Sequence, residues 1–167
     1  MRSLFTFPDP VNEISARLVA GGVAAMTALF LITGNEWLLL VIAYGFLARV
    51  LAGPKISPLG LLVTRVVEPA LSIKPRLTPG PPKRFAQGIG ATLSIAAGLS
   101  YFLLSLTPMA YVLVAAILVA ASLEAFVGFC LGCTIFGLLM RMGVIPDSVC
   151  EACGDISHRR PSAAAAR

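Results

Sequence analysis

The sequence predicts an all-α membrane protein: a four-transmembrane-helix bundle of two helical hairpins with a short cytoplasmic interfacial helix between them. Of the 167 residues, 57% are hydrophobic and only 13% are charged, whereas about a quarter of the residues in a typical soluble domain are charged. The apolar residues also form stretches of the roughly 20 residues that a helix needs to cross a bilayer. Composition and segment length together indicate an integral membrane protein.

The first hairpin is predicted from apolar stretches at residues 14–33 and 37–53. Gly34 and Asn35 between them favour a turn, and so short a connection makes the two helices antiparallel neighbours. Trp37 falls where an interfacial aromatic residue is expected. The first stretch lacks a small-residue cleavage site after a short apolar core, so we interpret it as a permanent span.

The second hairpin is predicted from apolar stretches at residues 85–106 and 109–129, which are separated by Thr107 and Pro108. An apolar extension then leads to the tail. We assign residues 1–153 to a single membrane domain, the last part of it a cytoplasmic extension. We expect residues 154–167, which end in an alanine run, to be disordered.

The orientation is predicted from the basic residues. The segment between the hairpins, residues 53–84, carries six Lys or Arg side chains and the single acid Glu68. By the positive-inside rule this segment is cytoplasmic, which places both termini in the cytoplasm and the protein in the cell (inner) membrane as a multi-pass chain. The basic residues lie between apolar stretches rather than on an aromatic surface, so we expect a lipid bilayer as partner and no nucleic acid.

A short helix is predicted inside the central segment. Ser57 and Pro58 are a suitable N-cap and first-turn pair. The apolar residues after them recur at near-helical spacing: Leu59, Leu62, Val63, Val66, Val67 and Leu71. We expect this helix to lie on the cytoplasmic membrane face and to be followed by an irregular or extended, Pro-rich run through Pro82.

Three charged residues, Arg17, Arg49 and Glu124, lie inside predicted spans. A charge at mid-bilayer costs about 3 kcal/mol even on the gentlest scale, so each needs a partner or a function. Counting along the helices places all three at a similar depth near the cytoplasmic side. We favour a structural polar cluster that fixes helix register, and keep a substrate or proton site as the alternative.

The four cysteines form two C-x-x-C pairs, Cys130 with Cys133 and Cys150 with Cys153. In one interpretation they are redox dithiols that exchange disulfides, or pass sulfur, with a soluble thioredoxin-like partner, and Arg141 favours the thiolate form. In a second, all four thiolates hold a structural zinc ion, because the spacing fits a four-cysteine zinc site. In a third, Cys130 and Cys133 only pack between helices.

The region around Cys130 also bears on two further predictions, a helix contact and a cofactor. Gly128 and Gly132 have the spacing of a small-residue helix interface, so a neighbouring helix or a homodimer contact is expected near Cys130. No quinone, nucleotide or bis-His haem motif is readable, which leaves zinc as the cofactor that the sequence suggests. A quinone-linked dithiol enzyme is conceivable from architecture alone, and the predicted cytoplasmic cysteines count against it.

Blocks of residues along most of the chain carry a family resemblance. They are residues 7–13 with Arg17, residues 45–50 with Gly53-Pro54 and Ser57-Pro58, residues 80–87, Leu123-Glu124-Ala125 and residues 129–133. Together they resemble the bacterial membrane proteins catalogued as domain of unknown function 4395. The resemblance implies a small multi-pass bacterial protein without an established reaction, and its thioredoxin-like and sulfurtransferase associations favour thiol chemistry.

The functional hypothesis joins these observations. In it, Cys150 and Cys153 contact a soluble thioredoxin-like or sulfurtransferase partner, and Cys130 and Cys133 receive electrons or sulfur. Glu124 and the neighbouring arginines order the helix ends or move protons. Two alternatives stay open: a non-enzymatic membrane protein with a four-cysteine zinc site, and a small transporter that uses Glu124.

Overall fold

A computed structural model describes residues 9–71, 76–146 and 149–150, whose regular elements are helices, with a 3₁₀ turn at Gly53–Lys55, and one pair of two-residue strands. The elements in chain order are β1 (Val11–Asn12), α1 (Glu13–Thr33), α2 (Trp37–Ala52), α3 (Pro58–Leu62), α4 (Glu68–Leu71), β2 (Leu77–Thr78), α5 (Gly80–Phe102), α6 (Thr107–Ser122) and α7 (Leu131–Arg141). A π-helical turn at Val63–Val67 joins α3 to α4, and another at Leu123–Val127 extends α6. The predicted all-α class is confirmed.

Three helical stretches are long and apolar enough to cross a membrane: Glu13–Thr33, Trp37–Ala70 and Thr107–Val127. The fourth long helix, α5, is not among them. It carries Lys83 and Arg84 in its first turns and a buried face with Ser94 and Ser100. The outer helix surfaces bear exposed large apolar side chains such as Ile32, Val112 and Val119, which is the surface expected of helices surrounded by lipid.

The four long helices pack side by side in a closed ring. Helix α5 packs against α2 on one side and α6 on the other, α1 packs against α6, and a smaller contact between α1 and α2 closes the ring. The short helix α7 lies against α5. Because α5 contacts three other helices, it is the central element of the fold even though it is the least apolar of the long helices.

The two predicted hairpin turns are present, and each has a local cause. Gly34 follows α1 with φ of 66° and donates its N–H to Phe30 O at 2.7 Å, so the helix ends in a left-handed residue that glycine adopts without strain. Trp37 then begins α2 with 68% of its surface exposed. In the second hairpin, α6 starts at Thr107 with Pro108 in its first turn, where a missing N–H costs nothing.

The core has two layers. The layer near the hairpin turns contains Phe30, Leu39, Ala97 and Val114. The ring of Phe30 contacts those of Tyr101 and Tyr111 at centroid distances of 6.3 and 5.1 Å. The second layer, farther from the turns, contains Val23, Ala24, Ile42, Phe46, Ala91, Ile117 and Ala121. This second layer leads directly to the polar end of the bundle.

The predicted helix in the central segment is confirmed. Ser57 is the N-cap of α3, and its side chain accepts the N–H of Gly60 at 3.4 Å. The segment packs against α1, where Leu59 lies over Gly22. Glu68 accepts hydrogen bonds from Asn12 and from Ser15 Oγ, which ties α4 to the start of α1.

The Pro-rich run agrees with its prediction in part. The sequence predicts irregular or extended chain through Pro82, and Leu77–Thr78 is extended as β2, antiparallel to β1 with Val11 opposite Thr78, but α5 already begins at Gly80. Pro81 occupies the first turn of α5, where it needs no hydrogen-bond donor. Asp9 Oδ1 accepts the Gly80 N–H at 3.0 Å, so the amino-terminal segment caps this helix.

Candidate dithiol site at the amino end of α7

Cys130 and Cys133 are joined by a disulfide at the amino end of α7, with their Cα atoms 5.2 Å apart. Cys130 is the N-cap residue, in an extended conformation, and its Sγ accepts the Cys133 N–H at 3.2 Å. Both side chains are partly buried. The two sulfurs therefore lie where the unpaired N–H groups of a helix give a partial positive charge.

The helix end, rather than Arg141, provides the positive charge near the cysteines. Arg141 is the last residue of α7, and at a rise of about 1.5 Å per residue it lies roughly 15 Å from Cys130 along the helix. At that distance the charge of Arg141 acts weakly on the thiols. The helix end is therefore the nearer source of positive charge for the membrane-side pair, and the contribution expected from Arg141 and the basic tail stays a prediction.

The chain reaches Cys130 through a tight reversal after α6. The π-helical turn Leu123–Val127 ends at Gly128, which has φ of 77°, and the N–H of Phe129 then bonds to Leu123 O at 3.1 Å. Turns of this π type occur often at functional sites. Gly128 therefore lies in a turn rather than on a helix face shared with Gly132, and the predicted small-residue helix interface is not formed by this pair.

Arg17, which lies on α1, stabilises this reversal of the chain. Its guanidinium donates to Ala125 O at 3.3 and 3.2 Å and to Phe126 O at 3.1 Å. These carbonyls lie at the end of a helical segment, where the partial charge is negative, so the cation is favourably placed. A Cβ at Gly128 would lie 3.1 Å from Arg17 Nη1, so glycine also leaves room for the guanidinium.

Glu124 forms an ion pair with Lys83 across the bundle. The Lys83 ammonium donates to Glu124 Oε1 at 2.6 Å, and the two side chains are only 11% and 13% exposed. The pair links the start of α5 to the turn that leads to Cys130. Because both charges are largely removed from water, each depends on the other for compensation.

Arg49, like Lys83, is a buried cation, with 4% of its surface exposed. Its Nε donates to Gln87 Oε1 at 2.8 Å, its Nη1 donates to Ser57 Oγ at 3.3 Å, and its guanidinium carbon lies 4.6 Å from the centroid of the Phe46 ring. The arginine therefore connects α2, α3 and α5. The negative charge of Glu124 also acts on it through space.

The structure brings Arg17, Arg49 and Glu124 to the same end of the bundle but pairs none of them directly. Arg17 binds backbone oxygens, and the direct partner of Glu124 is Lys83. The side chains that complete the network and were absent from the predicted cluster are Lys83, Gln87 and Ser57. In the sequence, one feature indicates that Lys83 belongs to this network: its position directly after the prolines at the start of α5.

A cavity of about 280 Å³ lies beside the disulfide. Its walls are mainly apolar and come from the four long helices and from α7; they include Val23, Phe46, Leu93, Ile117 and Ile135. Polar lining is contributed by Gln87, Glu124 and Cys130. The dithiol site is thus adjacent to an apolar chamber in the bundle.

The second pair is only partly described. Cys150 is buried and disulfide-bonded, whereas Cys153 lies outside the described residues, as do residues 154–167 with their predicted disorder. Within the ranges that the structure covers, no group of three or more His, Cys, Asp or Glu side chains is arranged to hold a metal ion. Because Cys153 is not in those ranges, the four-cysteine zinc interpretation stays a prediction.

Gly132, between the two cysteines, lets α7 approach α5 closely. A Cβ at Gly132 would lie 2.5 Å from both Cα and Cβ of Ala86, and one turn on the rings of Phe85 and Phe136 pack at a centroid distance of 5.6 Å. The approach of these two helices places the disulfide against the bundle.

Gly132→Ala is therefore expected to destabilise the protein by about 1 to 3 kcal/mol, because the methyl group has to displace the α5 backbone. Gly137→Ala is the matched control on the same helix: nothing lies within 4 Å of its Cβ position, and alanine favours a helix over glycine by about 1 kcal/mol. Thermal denaturation of both variants in detergent measures the difference. Equal melting temperatures would contradict the close approach of α7 to α5.

Fold and site together define the class: an all-α protein with membrane-length apolar helices and a cysteine pair at a helix amino end beside buried charges. The model of a family described as a domain of unknown function, DUF4395, matches residues 11–141, and the chain belongs to this family. The match confirms the family resemblance and includes Cys130 and Cys133 but ends before Cys150. Neither a curated protein nor a solved structure matches the chain.

Proposed function

We propose that the protein is a membrane thiol–disulfide oxidoreductase whose Cys130–Cys133 pair exchanges electrons with a soluble thioredoxin-like or sulfurtransferase partner. The observation that carries the proposal is the position of Cys130 as N-cap of α7, with its Sγ accepting the Cys133 N–H. A thiolate there is stabilised by the partial positive charge of the helix end. Thiolates are the attacking species in disulfide exchange.

The proposed exchange moves two electrons. A thiolate of the partner attacks Sγ of Cys130, the S–S bond breaks, and Cys133 leaves as a thiolate that takes up a proton. The second partner thiol then attacks the mixed disulfide and releases Cys130. The partner's two thiols become a disulfide and the membrane pair becomes two thiols, so electrons and protons balance. Where Cys150 and Cys153 act as the proposed relay, the same two steps occur twice, first from the partner to the tail pair and then from the tail pair to Cys130 and Cys133.

The proposed topology has four spans, with α5 as the fourth, and both termini in the cytoplasm of a bacterial inner membrane. Two observations support it. Helix α5 has 23 residues and packs between α2 and α6 like the other long helices. None of the described Lys or Arg residues lies in the two hairpin turns: Lys55, Lys83 and Arg84 lie at the end of the bundle that the positive-inside rule assigns to the cytoplasm, and Arg141 lies on the chain that follows it.

A redox titration with metal analysis tests the proposal. In the Cys150→Ser/Cys153→Ser variant, purified in detergent without chelator, Cys130 and Cys133 are expected to oxidise and reduce together as a two-electron couple, read by alkylation and intact mass. Replacing Cys130 and Cys133 by serine should remove this couple. About one zinc per wild-type chain, lost with Cys150→Ser and accompanied by thiols that never oxidise in pairs, would instead support the structural zinc site.

A further inference from the structure

The apolar cavity beside the disulfide has the features of a binding site for a lipid-soluble ligand. Its volume of about 280 Å³ approaches the lower end of small-molecule sites, which occupy roughly 300–1,000 Å³. Leu131 and Ile135 line it and are also 39% and 43% exposed on the outer surface. These two side chains thus belong both to the chamber and to the exposed apolar surface of α7, the side from which we expect a lipid-soluble ligand to enter.

The polar groups of the cavity are placed for a ligand with carbonyl oxygens. Gln87 Oε1 accepts the bond from Arg49, and within the described residues the Gln87 Nε2 donors make no hydrogen bond. Glu124, held by Lys83, and the sulfur of Cys130 line the same cavity. An apolar pocket with a few polar groups that orient one end of the ligand is the usual form of a small-molecule site.

We infer that this cavity binds the head group of a quinone, which exchanges two electrons with the Cys130–Cys133 pair. The inference rests on the proposed function, because it names the lipid-side substrate of the same cysteines. It revises the expectation that cytoplasmic cysteines count against a quinone, because an apolar cavity inside the bundle is lined by Cys130. A ligand that reacts with a dithiol has to accept or donate two electrons and two protons, and quinones are lipid-soluble molecules that do so. A lipid acyl chain would fill an apolar cavity equally well. It can neither react with the adjacent disulfide nor accept a hydrogen bond from the Gln87 amide.

Electrons and protons balance between the Cys130–Cys133 pair and the quinone. In the oxidising direction the S–H bonds of Cys130 and Cys133 break, an S–S bond forms, and two electrons and two protons leave the protein. The quinone accepts all of them, its two carbonyl oxygens become hydroxyls, and a quinol departs. The reverse reaction reduces the disulfide at the expense of a quinol. Together with the soluble partner, the cysteine pair would connect a dithiol in the aqueous phase with a carrier in the bilayer.

The test uses reduced full-length protein in nanodiscs and tetramethyl-para-benzoquinone, whose ring positions are all substituted so that thiol addition to the ring is blocked. We expect saturable formation of one quinol for each disulfide formed. Ala120→Phe, which fills the cavity from α6, should slow this reaction by at least about tenfold, a loss of roughly 1.4 kcal/mol. Val119→Phe is the control, because Val119 is 58% exposed and does not line the cavity.

The outcomes separate the inference from the proposed function. If glutathione disulfide oxidises the cysteine pair but the quinone does not, or if the quinone rate is unsaturable and equal in Ala120→Phe and wild type, the quinone site is overturned and the dithiol function stands. If neither oxidant forms the Cys130–Cys133 disulfide, both fail. Circular dichroism checks the fold of Ala120→Phe; should it misfold, Ala116→Phe fills the same cavity from a more exposed position on α6.

Discussion

Lys83→Met is expected to lower the free energy of unfolding by about 3 to 5 kcal/mol, because it leaves the Glu124 carboxylate buried without its partner. The two side chains are 11% and 13% exposed and only 2.6 Å apart, so water can replace the lost ammonium only if the bundle end opens. Thermal or SDS-induced unfolding in detergent measures the change. Of the substitutions considered for this protein, we expect this one to cost the most stability.

The double variant Lys83→Met/Glu124→Leu distinguishes a charge effect from a packing effect. It removes both charges, so it should be more stable than Lys83→Met alone, and a double-mutant cycle should give a clear coupling free energy. Arg84→Met is the matched control: Arg84 is the next residue on α5, is exposed, and among the described residues donates only to Val50 O at 3.1 Å. Additive costs of the two single substitutions would show that Lys83 and Glu124 do not stabilise each other.

This ion pair also bears on the transporter alternative. A carboxylate that couples transport has to gain and lose a proton or an ion during the cycle. Glu124 is instead held by Lys83 at the junction of α5 and the turn that carries the cysteines. The pair therefore favours the structural role for Glu124 that the sequence had suggested, with a different partner.

The sequence predicts well those helices whose position and ends are determined by neighbouring residues. Long apolar stretches define α1, α2 and α6, Gly34 ends α1, and the pair Ser57-Pro58 starts the short helix of the central segment. Each of these features acts over a few neighbouring residues. They can therefore be recognised in one sequence without knowing what the rest of the chain does.

Helix α7 was missed because its boundary depends on a backbone turn. The residues after Phe129 continue the apolar character of the fourth predicted span, and the eleven residues of α7 are too few to cross a membrane. The break comes from the left-handed Gly128 at the end of a π-helical turn. Such a turn is stabilised by Arg17, which is distant in sequence, so no local pattern reveals it.

The sequence predicted residues of the site but not the contacts that these residues make. Intramembrane charge marked Arg17, Arg49 and Glu124, and the C-x-x-C spacing marked Cys130 and Cys133. The pairing of Glu124 with Lys83 joins residues 41 positions apart, and the cavity is formed by helices from the whole chain. Both depend on the order of helices around the bundle, which hydrophobic patterns do not determine.

Cys133→Ser is expected to trap the protein in a mixed disulfide. In the reduced protein, the Cys130 thiolate at the helix end attacks a partner disulfide, and Cys133 then resolves the intermediate from one turn along α7. Intramolecular attack benefits from a very high effective concentration, so its loss should lengthen the life of the intermediate by on the order of a hundredfold or more. Cys130→Ser removes the attacking group and should trap nothing.

The most direct test is therefore trapping with oxidised thioredoxin and with glutathione disulfide as probes, in a background that carries Cys150→Ser and Cys153→Ser, read by non-reducing electrophoresis and intact mass. We expect one covalent adduct per chain at Cys130 in Cys133→Ser, none in Cys130→Ser, and rapid turnover to the Cys130–Cys133 disulfide when both cysteines are present. Equal labelling of the two single variants, or no adduct in either, would contradict a dithiol site at the amino end of α7.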